Sequence, residues 1–136
     1  MPRLPEYFLS RNNFALMRKM LSGAAFREAA LTNDDLARYI EAIAQPGALT
    51  AMINYYRAAF RPNPLPKQWR IEQPTLVLWG THDRYLGRQL AEPSPKLVPH
   101  CRVDYVEHAG HYVHHDCPDL VNDALYTFLH SADAGV

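Results

Sequence analysis

Pro74-Thr75-Leu76-Val77-Leu78-Trp79-Gly80-Thr81-His82-Asp83 is where the chain changes its hydrophobic period. Residues 75–79 form a short continuous run with a proline before it and a glycine after it. That pattern predicts a strand buried on both faces. Residues 87–97 read as a partly helical stretch, interrupted by Pro93 and Pro95. A second strand follows over 102–106, where Val103 and Tyr105 alternate against Asp104. A loop then carries Gly110 and His111. The last helix starts near Pro118, a favoured first helical position, and is expected to bury Leu120, Val121, Ala124, Leu125, Phe128 and Leu129. The order strand, helix, strand, helix implies parallel strands joined by a right-handed crossover.

Upstream of residue 74 the chain reads as helices. Ser10 is a candidate cap, with Phe14, Met17 and Leu21 at helical spacing behind it, and Ser22-Gly23 ends that helix. Thr32 with Asp35 resembles a capping box for a second helix, whose apolar face is Leu36, Tyr39, Ile40 and Ile43. Gln45-Pro46-Gly47 breaks it. A third helix is expected over 48–60, with Met52, Tyr56 and Phe60 on one side. The prolines at 62, 64 and 66 stop it.

Two parallel strands cannot cover their own faces and edges. The sequence offers no other convincing strand. The strands and the last helix therefore read as parts built for a larger sheet, with the remainder on another chain or in a longer protein.

Two loops carry candidate chemistry. Asp83 follows the first strand and His111 follows the second. In open parallel sheets, functional groups gather beyond the carboxyl ends of the strands, so neighbouring strands would bring these loops together. A carboxylate beside a histidine fixes the imidazole tautomer and stabilises its charged form. From spacing alone, Asp83 is as well read as a turn residue and His111 as a loop histidine. His108, His111, His114, His115 and Asp116 include spacings that chelate metal on a helix, but Gly110 argues for a loop. No metal and no cofactor is expected.

Taken together, the stretch from Pro74 to Asp83 and the segment His108-Ala109-Gly110-His111-Tyr112-Val113-His114-His115-Asp116-Cys117-Pro118 resemble the last third of the epoxide hydrolase branch of the α/β-hydrolases. Gln45-Pro46-Gly47-Ala48-Leu49 and Asn54-Tyr55-Tyr56-Arg57 resemble that family's lid. The resemblance implies an incomplete α/β-hydrolase fold: a helical lid over residues 1–68, then two parallel strands with helices, the C-terminal part of the core, over 69–136. It implies that Asp83 is the acid, His111 the base, and Tyr56 the lid tyrosine that hydrogen-bonds the epoxide oxygen. Opening an epoxide leaves an alkoxide, which a positioned phenol can protonate. The substrate implied is a small hydrophobic molecule such as an epoxide. The family's nucleophilic aspartate turn and its His-Gly-x-Pro segment have no counterpart here, nor is there a Gly-x-Ser-x-Gly elbow. The expectation is a truncated chain, inactive alone.

Composition bounds the alternatives. The 136 residues carry 14 Lys plus Arg against 14 Asp plus Glu, which gives no electrostatic case for nucleic acid. No apolar stretch approaches the roughly 20 residues of a membrane helix, and residues 1–6 show no signal peptide. Two cysteines do not make a disulfide scaffold, so a reducing, cytoplasmic location is expected. A haloalkane dehalogenase or esterase relative is a second reading. A third is a non-catalytic module whose unpaired strand edges recruit a second copy or the missing N-terminal half.

Overall fold

The computed structural model describes residues 4–28, 30–61 and 70–133, which fall into two compact units. Of the described residues, the first comprises 4–23 and 31–61. The second comprises those of 24–30 and 70–133, so the short connection between the first two helices belongs to the second unit.

The first unit is helical: α1 (Leu4–Ser22), α2 (Asn33–Ala44) and α3 (Ala48–Ala59). Met17, Ile40 and Ile43 form its buried core, with Leu9, Phe14, Leu21 and Leu49 packed around them. The capping box at α2 is complete. The Asp35 N–H donates to Thr32 Oγ1 at 3.1 Å, and the Thr32 N–H donates to Asp35 Oδ2 at 3.0 Å. At α1 the sequence expectation fails. Helix already exists from Leu4, and Ser10 donates its hydroxyl back to the Tyr7 carbonyl instead of capping. What divides the segment is a run of left-handed backbone at Asn12, Asn13 and Phe14, with φ of 51°, 53° and 59°. Two asparagines tolerate that conformation better than most residues, which explains where the break falls. The apolar stripe of α3 is open. Met52, Tyr56 and Phe60 are all exposed, Phe60 the most at 89%.

Arg57 ties α3 to the start of α1. Its Nη1 and Nη2 donate to Glu6 Oε1 and Oε2 at 2.8 and 3.0 Å, and Nη1 also reaches Asn54 Oδ1 at 2.9 Å. A two-pronged guanidinium–carboxylate pair fixes geometry as well as charge.

In the second unit, β1 (Thr75–Gly80) and β2 (Cys101–Val106) pair in parallel, with Thr75 opposite Cys101 and Gly80 opposite Val106. Then come α4 (Val113–Asp116) and α5 (Pro118–Asp133). The second strand begins one residue earlier than expected. The stretch over 87–97 holds only a single 3₁₀ turn at Arg88–Leu90, because Pro93 and Pro95 leave no room for more. The segment is pinned by its side chains: the Arg88 guanidinium lies 3.7 Å from the Tyr105 ring centre, and the Tyr105 hydroxyl donates to Glu92 at 2.6 Å.

Val106 and Ala109 are the most deeply buried apolar residues of this unit, and Ala91, Val98 and Val121 are buried as well. The β1 strand, expected to be buried on both faces, is only half-buried until Gly80. On α5, Val121 is buried, but Leu120, Leu125 and Leu129 are exposed. Both departures have one physical reason: among the described residues, two strands and one long helix supply too little surface to cover each other. No helix among the described residues is long and apolar enough to cross a membrane.

Candidate active site

The parallel register brings the ends of β1 and β2 level, and the loops that follow them meet. Gly80 permits this. A Cβ at that position would collide with the carbonyl oxygens of Gly110 and Ala109. With none there, the His82 N–H donates to the Ala109 carbonyl at 2.9 Å, and the Thr81 N–H donates to Val106 at 3.1 Å. Gly80→Ala is therefore expected to destabilise the chain by about 2 to 3 kcal/mol, through backbone that must shift in a packed site. Chemical denaturation of the two chains checks this.

Within that junction Asp83 and His111 touch. His111 Nδ1 lies 2.9 Å from Asp83 Oδ2. The other carboxylate oxygen accepts the backbone N–H groups of Tyr85 at 2.8 Å and Leu86 at 3.1 Å. Burial by itself pushes the Asp83 carboxyl upward. The hydrogen bonds from His111, Tyr85 and Leu86 outweigh it and hold the group below its ordinary value. An ionised carboxylate can only accept, so the proton between the two residues sits on Nδ1. In the neutral imidazole, Nε2 then keeps its lone pair. The Asp83 side chain is 7% exposed and that of His111 35%, so the carboxylate is enclosed while the imidazole remains reachable.

The sign of the pH dependence follows. Because the folded carboxyl is depressed, its contribution to stability is full above the unfolded value of about 4 and disappears as pH falls through the folded value. Asp83→Asn should remove that acid-side loss. Denaturation midpoints measured from neutral to acidic pH would show a flatter curve for the variant.

The loop bearing His111 is held from beneath by Asp116, whose importance was not legible in the sequence. Asp116 has no exposed surface. Its carboxylate accepts the backbone N–H groups of Phe26 at 3.0 Å, Arg27 at 2.8 Å and Gly110 at 2.8 Å. Its carbonyl accepts Arg27 Nη1 at 2.8 Å, and the His111 N–H donates to the Ala24 carbonyl at 3.0 Å. The short segment 24–27 thus becomes the floor of the histidine loop. Gly110 fits against it closely, with the site of a Cβ lying 3.0 Å from both Ala24 O and Phe26 N.

Four other histidines lie in the same loops or just after them. The His82 ring lies tilted against Phe26 with ring centres 4.2 Å apart, and His108, at a left-handed φ of 60°, lies 6.2 Å from both. His114 and His115 lie on α4, a helix where a loop was expected. Among the described residues, no three His, Cys, Asp or Glu side chains form a group that could hold a metal. Cys101 and Cys117 are both free.

Tyr56, the third candidate, lies in the first unit on α3. It is 67% exposed, with its ring 5.6 Å from that of Tyr55 in an edge-to-face pair. Its turn of helix is fixed by the neighbouring Arg57–Glu6 pair.

Comparison with known proteins agrees with these motifs. Residues 1–124 match the model of the alpha/beta hydrolase family. The AB hydrolase superfamily protein YfhM of Bacillus subtilis is 36% identical over 129 residues, which are 95% of this chain and 45% of that protein. Epoxide hydrolase 4 of Homo sapiens is 35% identical over 133 residues, covering 94% of this chain and 36% of its own length. A mutant epoxide hydrolase from Bacillus megaterium superposes with a TM-score of 0.77 at 25% identity, over 91% of this chain and 46% of that one. The chain thus spans less than half the length of these relatives. It belongs to the α/β-hydrolase family, in its epoxide-hydrolase-like branch.

Proposed function

We propose that this chain supplies the lid and the acid–base pair of an enzyme that hydrolyses epoxides to diols through an aspartyl ester. The observation that carries the reading is the contact of His111 Nδ1 with Asp83 Oδ2, which leaves Nε2 as the basic atom. The 136 residues contain no candidate for the nucleophile turn, so turnover needs an aspartate from outside them. In the complete enzyme that carboxylate attacks an epoxide carbon and the C–O bond of the ring breaks. The Tyr56 hydroxyl gives its proton to the departing alkoxide. His111 then takes a proton from water, the hydroxide adds to the ester carbonyl, the diol leaves as the carboxylate is restored, and the imidazolium's proton restores the Tyr56 phenol. Asp83 stabilises the imidazolium formed on the way. The residues over 1–68 are the lid and those over 69–136 the end of the core, working on a small hydrophobic substrate in a reducing, cytoplasmic setting that suits two free thiols.

The uncovered surfaces support a partner for the second unit. Leu120, Leu125 and Leu129 are 48%, 42% and 59% exposed, and the buried Trp79 Nε1 has no hydrogen-bond partner among the described residues. A second copy of the chain that used this surface without turnover would mark a binding module instead.

Tyr56→Phe tests the assignment. With the nucleophile half supplied, ring opening in a single turnover should slow about 100-fold, the usual contribution of a positioned acid, while ester hydrolysis is unchanged. Equal rates of ring opening would remove Tyr56 from the mechanism.

A further inference from the structure

We propose that Tyr85 is a positioning residue that keeps the His111 imidazole in the orientation its pairing with Asp83 requires; this rests on reading that pair as the acid and base. The hydrogen bond to Asp83 fixes one ring atom, Nδ1. One such contact leaves the ring free to pivot about it, and with 35% of the His111 side chain exposed, solvent does not confine it. Aromatic rings do. The Tyr85 ring stands edge-to-face to the imidazole, with centres 5.3 Å apart and planes at 67°. Tyr112 flanks it as well, at 5.5 Å and 52°. These separations lie in the range where aromatic pairs hold a preferred geometry.

The two tyrosines differ in what else places them. Tyr112 adjoins His111 in the chain, and its ring also meets His114 and His115 at the entry to α4. Tyr85 comes from the other loop. Its backbone N–H donates to Asp83 Oδ1 at 2.8 Å, so one residue both anchors the carboxylate and flanks the base that the carboxylate holds. More than half of its surface is exposed, at 53%, so burial does little to account for a large aromatic side chain there.

The test reads the ring nitrogens of His111 by long-range proton–nitrogen NMR on the 136-residue chain, at a pH where histidine is neutral, and involves no catalysis. Wild type should show a protonated Nδ1 and an unprotonated Nε2. Tyr85→Phe keeps the ring and should leave both signals in place. Tyr85→Leu should move both nitrogen shifts toward the averaged values of exchanging tautomers. Unchanged signals in Tyr85→Leu would overturn the role of Tyr85 while leaving the Asp83–His111 pair intact. Averaged signals already in wild type would overturn the pair itself, and the proposal with it. A Tyr85→Leu chain that lost its folded amide dispersion would also overturn it, by making Tyr85 a folding residue.

Discussion

Asp116→Ala is expected to destabilise the chain by about 3 to 5 kcal/mol, the range for breaking a fully buried, hydrogen-bonded charged site. The magnitude comes from what the carboxylate leaves behind. The N–H groups of Phe26, Arg27 and Gly110 all donate to it in a region with no access to water from its side chain. Removing the acceptor strands these donors, and each buried unsatisfied donor costs about 1 to 3 kcal/mol. Asp116→Asn keeps one acceptor oxygen but turns an amide N–H₂ toward donors, so its loss should be smaller but still large. Because Gly110 precedes His111, the damage should be local as well as global. The protonated Nδ1 of His111 should lose its fixed environment even under conditions where the variant is folded. Denaturation in urea, followed by NMR of the histidine ring, measures both. A loss below about 1 kcal/mol would mean that water replaces the carboxylate, contrary to its burial.

His111→Gln is expected to separate the two halves of the proposed reaction once a nucleophile-bearing half is supplied. Glutamine can still hydrogen-bond Asp83, so the loops should remain joined, but it cannot take a proton from water. In the proposed mechanism ring opening uses an aspartate from outside these residues and Tyr56, and it should proceed. Release of the ester should slow by a factor of about 100 to 10,000, the range for losing a general base. Intact-mass spectrometry would show the nucleophile-bearing half heavier by one epoxide, persisting after the substrate is removed. Normal turnover in this variant would exclude His111 as the base.

What the sequence displayed and what it hid divide along physical lines. The Thr32–Asp35 capping box was legible because its partners lie three residues apart, in the range where local rules hold. The meeting of Asp83 and His111 was legible for a different reason. Parallel strands align their carboxyl ends, so two loops identified from two strands had to be neighbours. The Asp116 anchor was not legible, although Asp116 stood in the quoted motif. Its partners at 26 and 27 are about 90 residues away along the chain, in a connection with no periodic signal of its own. The left-handed run at residues 12–14 was hidden because Phe14 continued a plausible helical stripe. The apolar stripe of α5 is helical as expected, but Val121 is buried while Leu120, Leu125 and Leu129 are exposed. Periodicity reports an amphipathic face, and it does not report whether these residues contain the surface that covers it.

The most direct measurement joins this chain, as one polypeptide, to an amino-terminal half of a related hydrolase that carries a nucleophilic aspartate, and follows styrene oxide hydrolysis. A folded protein that forms diol is expected, with diol formation lost in both His111→Gln and Asp83→Ala. A folded fusion that opens the epoxide and releases diol at the same rate with or without His111 would contradict that expectation.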